Sequence, residues 1–96
     1  MHVYNLTSPN GNKITNQFVI EDGSIHYFQS YNTIIAKLDW DKCKVYLDSN
    51  YWNYSVTTSK YRNIFLNETR KETEKKIKSK EYILTDLNSA LHRPSL

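Results

Sequence analysis

A single cysteine, Cys43, stands among 96 residues, so no internal disulfide can form and a disulfide-stapled secreted scaffold is excluded. Only two glycines, Gly11 and Gly23, are present, and no glycine-rich phosphate cradle can be written around them, which disfavours nucleotide hydrolysis. No run approaches the roughly 18 consecutive apolar residues of a membrane span, and Met1 to Leu6 leads into Thr-Ser-Pro-Asn rather than an apolar signal core. The expectation is a soluble protein that stays in the cytoplasm of the cell making it, without a membrane partner. The Asn-x-Ser/Thr triplets at Asn5, Asn53 and Asn67 are then coincidental.

Converging metal ligands are missing as well: His2, His26, His92 and Cys43 are scattered, with no C-x-x-C or H-x-x-x-H spacing. No metal and no cofactor is expected. Nucleophilic catalysis by Cys43 needs a positioned base, and the strand register argued below puts His26 and Cys43 on opposite faces. His26 is read as a sheet-surface residue opposite Val19, and Cys43 as a small apolar group within a strand. Asp39, Asp41 and Asp48 could hint at a cation or an acid/base pair, but Asp-Trp-Asp in a tight turn follows from turn preference alone. The chain is read as a binding protein, with no catalytic residues and not as an enzyme.

What is present argues for a folded domain. The mean hydropathy of −0.71 is polar, yet 14% of the residues are aromatic, and disordered chains are poor in aromatic side chains. The length fits one domain, here 1–88, followed by a flexible tail over 89–96. Abundant Asn, Lys, Ile and Tyr, all with AT-rich codons, indicate a low-GC bacterium or one of its phages. The net charge of +3 is mild. It is concentrated over 60–82, where eight Lys and Arg face four Glu, an excess of four.

The first half alternates in the manner of an antiparallel meander. Phe18 and Ile20, then Ile25, Tyr27 and Tyr31, flank Asp22-Gly23, a pair suited to a type I′ hairpin that would oppose Ile20 to Ile25 and Phe18 to Tyr27. Ile34, Ala36 and Leu38 share one side of a further strand, and Cys43, Val45 and Leu47 of another. An additional strand is expected at His2 to Leu6. After Asn50 the period changes. Ser55, Thr57, Thr58 and Ser59 offer N-caps for a helix carrying Tyr61, Ile64 and Phe65 on one side and ending at Asn67. Thr69 and Glu72 match a capping box for a second helix reaching Ser79 or Lys80, with Glu72–Lys76 and Glu74–Lys78 as i, i+4 pairs. Ile77 is its clear apolar anchor, with Thr73 one turn earlier, and Tyr82 to Leu87 is expected to add a strand or docking segment. The fold class is α+β, an antiparallel β-meander of four to five strands followed by two short helices.

Two surfaces invite a functional reading. Tyr51, Trp52 and Tyr54, with Arg62, are residue types that dominate protein interface hot spots, although packing of Trp52 and Tyr54 against the sheet is the competing explanation. Lys71, Lys75 and Lys78 fall within about 60° of one another on an ideal helix. With stacking from Trp52, Tyr51 or Tyr54 such a stripe could hold single-stranded nucleic acid, and an ordinary solvated helix would look the same.

The segments Tyr27-Phe-Gln-Ser-Tyr-Asn-Thr-Ile-Ile-Ala36, Tyr51-Trp-Asn-Tyr-Ser-Val-Thr-Thr-Ser-Lys-Tyr-Arg-Asn-Ile-Phe-Leu66 and Lys75-Lys-Ile-Lys-Ser-Lys-Glu-Tyr-Ile-Leu84 resemble a family of small uncharacterised proteins encoded by phages and mobile elements of Firmicutes. The likeness covers roughly residues 14–88. It implies a phage or mobile-element origin and brings no activity or site residue with it. Members of that family tend to have Gly where Lys80 stands, which implies a different turn after the second helix. The leading expectation is therefore a non-catalytic accessory protein that binds and inhibits a host protein, such as a defence nuclease, in the manner of an anti-CRISPR, through Tyr51, Trp52, Tyr54 and Arg62. The alternative is a small nucleic-acid-binding protein using Lys71, Lys75 and Lys78.

Overall fold

The computed structural model describes residues 1–89. Alternation in the first half closes into five antiparallel strands: β1 (His2–Thr7), β2 (Lys13–Asp22), β3 (Ile25–Ser30), β4 (Thr33–Asp39) and β5 (Lys44–Asp48). Helices α1 (Val56–Leu66) and α2 (Arg70–Lys78) then carry the chain across to β6 (Tyr82–Thr85), which lies parallel to β5. A parallel neighbour cannot be reached by a tight hairpin, so the two helices form the crossover. The sheet has six strands in sequence order, one or two more than the alternation predicts, and it is mixed rather than wholly antiparallel.

The β2–β3 hairpin turns on Gly23-Ser24 instead of Asp22-Gly23. Asp22 pairs with Ile25, Ile20 with Tyr27 and Phe18 with Gln29. Gly23 takes the positive φ, +61°, at the first loop position, the requirement of a II′ turn rather than a I′ turn. The partners thus slip by two residues from the expected register. A slip of two preserves every face where a slip of one would invert it, so Ile20, Ile25 and Tyr27 still share a side.

A bulge in β4 has larger consequences. Phe28 pairs with Ala36 and Gln29 with Ile34, leaving Ile35 as the extra residue. Ile35 and Ala36 both join the cluster of Phe28, Val19, Leu6, Leu47 and Tyr82 under the helices, while Ile34 goes to the opposite face with Ile20, Tyr27 and Leu87. The expected grouping of Ile34 with Ala36 and Leu38 is corrected accordingly. The sheet therefore buries both faces, each fully buried Ile or Phe adding roughly 1.5–3 kcal/mol.

Both helix starts and the first helix stop follow local signals. Ser55 caps α1 by accepting from the Thr58 N–H at 3.0 Å, and Asn67 ends it in the left-handed conformation. Thr69 and Glu72 form the capping box of α2. Phe65 stacks on Phe28 at 5.6 Å, but Ile64 is partly exposed, and the inward face of α1 includes the fully buried Thr58 and Arg62. Lys80 has φ +65°, so the turn after α2 uses the conformation that glycine adopts without strain. Ser89 is tied to Asp86 at 3.2 Å; the rest of the expected tail, and His92, lie outside the described residues.

Candidate interaction surface

The segment between β5 and α1 is short and mixes three aromatic rings with small polar residues, and two side chains hold it. Asp48 Oδ2 accepts from the backbone N–H groups of Asn50 and Tyr51 at 3.1 and 3.0 Å, turning the chain as it leaves the sheet. Arg62, fully buried on α1, donates to the Trp52 carbonyl and to Asn63 Oδ1 at 3.0 Å, with longer bonds to Ser59 and Asn53. The Trp52 ring lies 5.1 Å from the guanidinium carbon, and packs against the upper core. With Trp52 turned inward, its neighbours turn outward. Tyr51 and Tyr54 meet edge to face at 5.3 Å, 40% and 50% exposed, and Val56 beyond them is 89% exposed.

The structure thus divides the four residues singled out for a protein contact. Tyr51 and Tyr54 are on the surface; Trp52 is half-buried and Arg62 is inside. Burial holds the Arg62 guanidinium below its ordinary pKa, with Arg70 acting in the same direction and Glu68 and Glu74 opposing. Beside Tyr54 opens a cleft of about 480 Å³ whose walls include Asn53, Val56, Ser59, Lys60, Asn63 and Arg70.

Lys71, Lys75 and Lys78 are exposed on α2, but none of them lines that cleft. The expected i, i+4 pairs are replaced. Lys76 reaches back to Glu68 at 2.9 Å, and Glu74 is taken by Arg70 at 2.9 Å. Glu68 is nearly enclosed and accepts also from Thr73 and from the Tyr82 hydroxyl at 2.6 Å, so this cluster fastens α2 to β6. Thr73 is fully buried at its centre.

The cluster sets a pH window. Burial alone would raise the Glu68 carboxyl, but the hydrogen bonds from Thr73, Tyr82 and Lys76 and the Lys76 charge bring it below the usual carboxylate value. The Tyr82 phenol, buried and bonded to Glu68, is pushed up to about 12, and Lys76 is raised chiefly by its bond to Glu68. Stability from a depressed acid is complete above its unfolded pKa and is lost as pH falls through the folded one. Stability from raised groups is complete below their unfolded values and is lost as pH rises through the folded ones. The urea midpoint is therefore expected to be flat from about pH 5 to about pH 10 and to fall on both sides. Glu68→Gln should flatten the acid arm; an equally steep arm in that variant would assign the loss to other carboxylates.

Trp40 is a surface residue that neither the alternation nor the capping signals single out. It is 58% exposed in the β4–β5 turn, and its indole Nε1 donates to His26 Nδ1 at 3.3 Å. His26 Nε2 lies 3.5 Å from Glu21 Oε2, so both ring nitrogens face partners. Trp40 walls a groove of about 370 Å³ with Tyr4, Val19, Leu38 and Ile64. A tryptophan in an otherwise polar turn was the available signal. Cys43 belongs to this turn and not to a strand: it is exposed, has φ +52°, and its thiol lies 3.6 Å from the Trp40 carbonyl.

Among the described residues no three His, Cys, Asp or Glu side chains converge on a common point, and no helix is long and apolar enough to cross a membrane. Residues 1–83, spanning β1 to β5, both helices and the start of β6, match the model of a family of unknown function, DUF8033. The chain belongs to DUF8033. No curated protein and no solved structure matches it. For this DUF8033 member, the surface geometry therefore carries the functional argument: a braced aromatic rim at one end of α1 and an exposed lysine row on α2.

Proposed function

We propose that the protein is a non-catalytic accessory protein of phage or mobile-element origin that binds a host protein and inhibits it, a defence nuclease being the leading target. The observation that supports this reading is the Tyr51–Tyr54 pair, exposed beside Val56 on a segment braced from below by Arg62 and Asp48. Exposed rings on a segment already held in place lose little conformational entropy on binding, which is the property of an interface anchor. The exposed lysines of α2 are the feature favouring nucleic acid, but they do not share a cleft with the rings that would have to stack.

The test is affinity capture from the lysate of a low-GC bacterial host. Wild-type protein should recover a stoichiometric partner. The Tyr51→Ser, Tyr54→Ser variant, shown folded by circular dichroism, should lose at least about tenfold of it, while Trp40→Ser retains it. Recovery of no partner, or undiminished recovery by the tyrosine variant, would overturn the proposal. Micromolar binding to DNA or RNA with a steep salt dependence, abolished by replacing Lys71, Lys75 and Lys78, would instead establish the nucleic-acid reading.

A further inference from the structure

We infer that the cleft beside Tyr54 is an anion-recognition site that takes a carboxylate from an acidic segment of a protein partner. This rests on the protein-binding reading above and specifies the chemistry of what is bound.

Arg62 is fully buried, and every hydrogen-bond acceptor it meets is a neutral oxygen: the Trp52 carbonyl and the side chains of Asn53, Ser59 and Asn63. Among the described residues its Nε has no hydrogen-bond partner and no carboxylate forms an ion pair with it. A guanidinium does not shed its proton in a protein, so a positive charge is enclosed whose direct contacts are dipoles and the Trp52 ring, with Glu68 and Glu74 acting on it only from a distance. Asn53, Ser59 and Asn63 are at once the partners of Arg62 and walls of the cleft. The buried charge therefore lies one side chain below the surface that a ligand would touch.

Above it, the cleft is lined by Lys60 and Arg70 and, among the described residues, by no carboxylate-bearing one. Arg70 gives its Nε to Glu74, and its two terminal amino groups remain for a ligand. Lys60 is held 5.5 Å from the Tyr61 ring centroid. Three cations, Arg62, Lys60 and Arg70, thus stand against two nearby anions, Glu74 and Glu68, an excess of one, and Glu68 is already bonded to Lys76, Thr73 and Tyr82. The donors are a flexible ammonium and a planar fork, with Asn53 and Asn63 amides beside them, a set that fits a two-oxygen acceptor.

The rim decides between a carboxylate and a nucleic-acid phosphate. Val56 is almost wholly exposed next to Tyr54 and Tyr51, and an aliphatic side chain there gains nothing from a phosphodiester backbone or from base stacking. An apolar side chain adjacent to Asp or Glu would cover it. The lysine row that could follow a backbone lies roughly 80–140° around α2 from Arg70. The occupant is therefore a peptide in which an acidic residue sits next to an apolar one.

Amide chemical shifts of the full chain provide the test, with three probes: a short blocked peptide alternating Glu and Leu, its Gln-for-Glu analogue, and an oligothymidylate. The Glu peptide should shift the amides of residues 53–60, 63 and 70 saturably. The Gln analogue, and the Lys60→Ala, Arg70→Ala variant with the Glu peptide, should each bind about tenfold more weakly. The Lys71→Ala, Lys75→Ala variant removes equal charge elsewhere and should bind as wild type. Equal response to the Gln analogue, shifts centred outside the cleft, or tighter binding of the oligothymidylate at the same amides would overturn the inference. Its failure is separable from that of the host-partner reading. A partner captured through Tyr51 and Tyr54 with no peptide response removes this site alone, whereas a saturable peptide site with no captured partner removes the host-inhibitor reading alone.

Discussion

Arg62→Ala is expected to lower the unfolding free energy by about 3 kcal/mol, measured by urea denaturation, and to weaken the near-ultraviolet circular dichroism of Trp52. The substitution removes the donor shared by the Trp52 carbonyl, Asn53, Ser59 and Asn63, and empties a fully buried volume under α1. It also removes the cation stacked on the Trp52 ring, worth roughly 0.5–2 kcal/mol. Arg62→Lys should recover little, because a single ammonium cannot span the Trp52 carbonyl on one side and Asn63 on the other. A loss below about 1 kcal/mol for the alanine variant would show that the loop oxygens are satisfied without Arg62.

Asp48→Ala is expected to cost about as much, roughly 3 kcal/mol, through a different part of the molecule. Asp48 stands at the end of β5 with one oxygen holding Asn50 and Tyr51, and the other accepting from the Leu87 N–H at 2.8 Å and the Asn88 amide at 3.0 Å. Asn88 in turn brackets the backbone of Ile34, accepting from its N–H at 2.7 Å and donating to its carbonyl at 2.9 Å. This chain of bonds holds Leu87 over Ile20, Tyr27 and Ile34. Asp48→Asn keeps the acceptor toward Leu87 but turns an amino group on two N–H donors when the other oxygen is replaced, so roughly half the loss is expected. Hydrogen exchange locates the effect: the amides of Ile34 and Leu87 should lose protection first. Unchanged protection there would mean that Leu87 is held by apolar contact alone.

The same two residues show how much could be read beforehand. The sequence puts Arg62 on α1, but a cation on a helix defaults to the solvent side, and no local pattern reveals that three polar side chains and a carbonyl wait for it inside. Asp48 stands out in the sequence only as a carboxylate that could hint at a cation or an acid/base pair; in the structure one oxygen turns the chain after β5 and the other reaches 39 residues along the chain. The interface candidates divided for the same reason. Tyr51, Trp52 and Tyr54 have similar character in sequence, and their opposite fates depend on which of them meets Arg62.

Residue order alone dictated the features whose causes span only a few positions. Alternation set the inward faces of β2 and β3, Ser55 and Asn67 set the limits of α1, and the reciprocal pair Thr69 and Glu72 set the start of α2. Each of these follows from φ/ψ preference, side-chain capping or two-residue periodicity. Packing decided the rest. The Ile35 bulge, the parallel seat of β6, the Glu68 cluster and the inward turn of Trp52 depend on partners distant along the chain. Their energies exist only once the sheet and helices have come together.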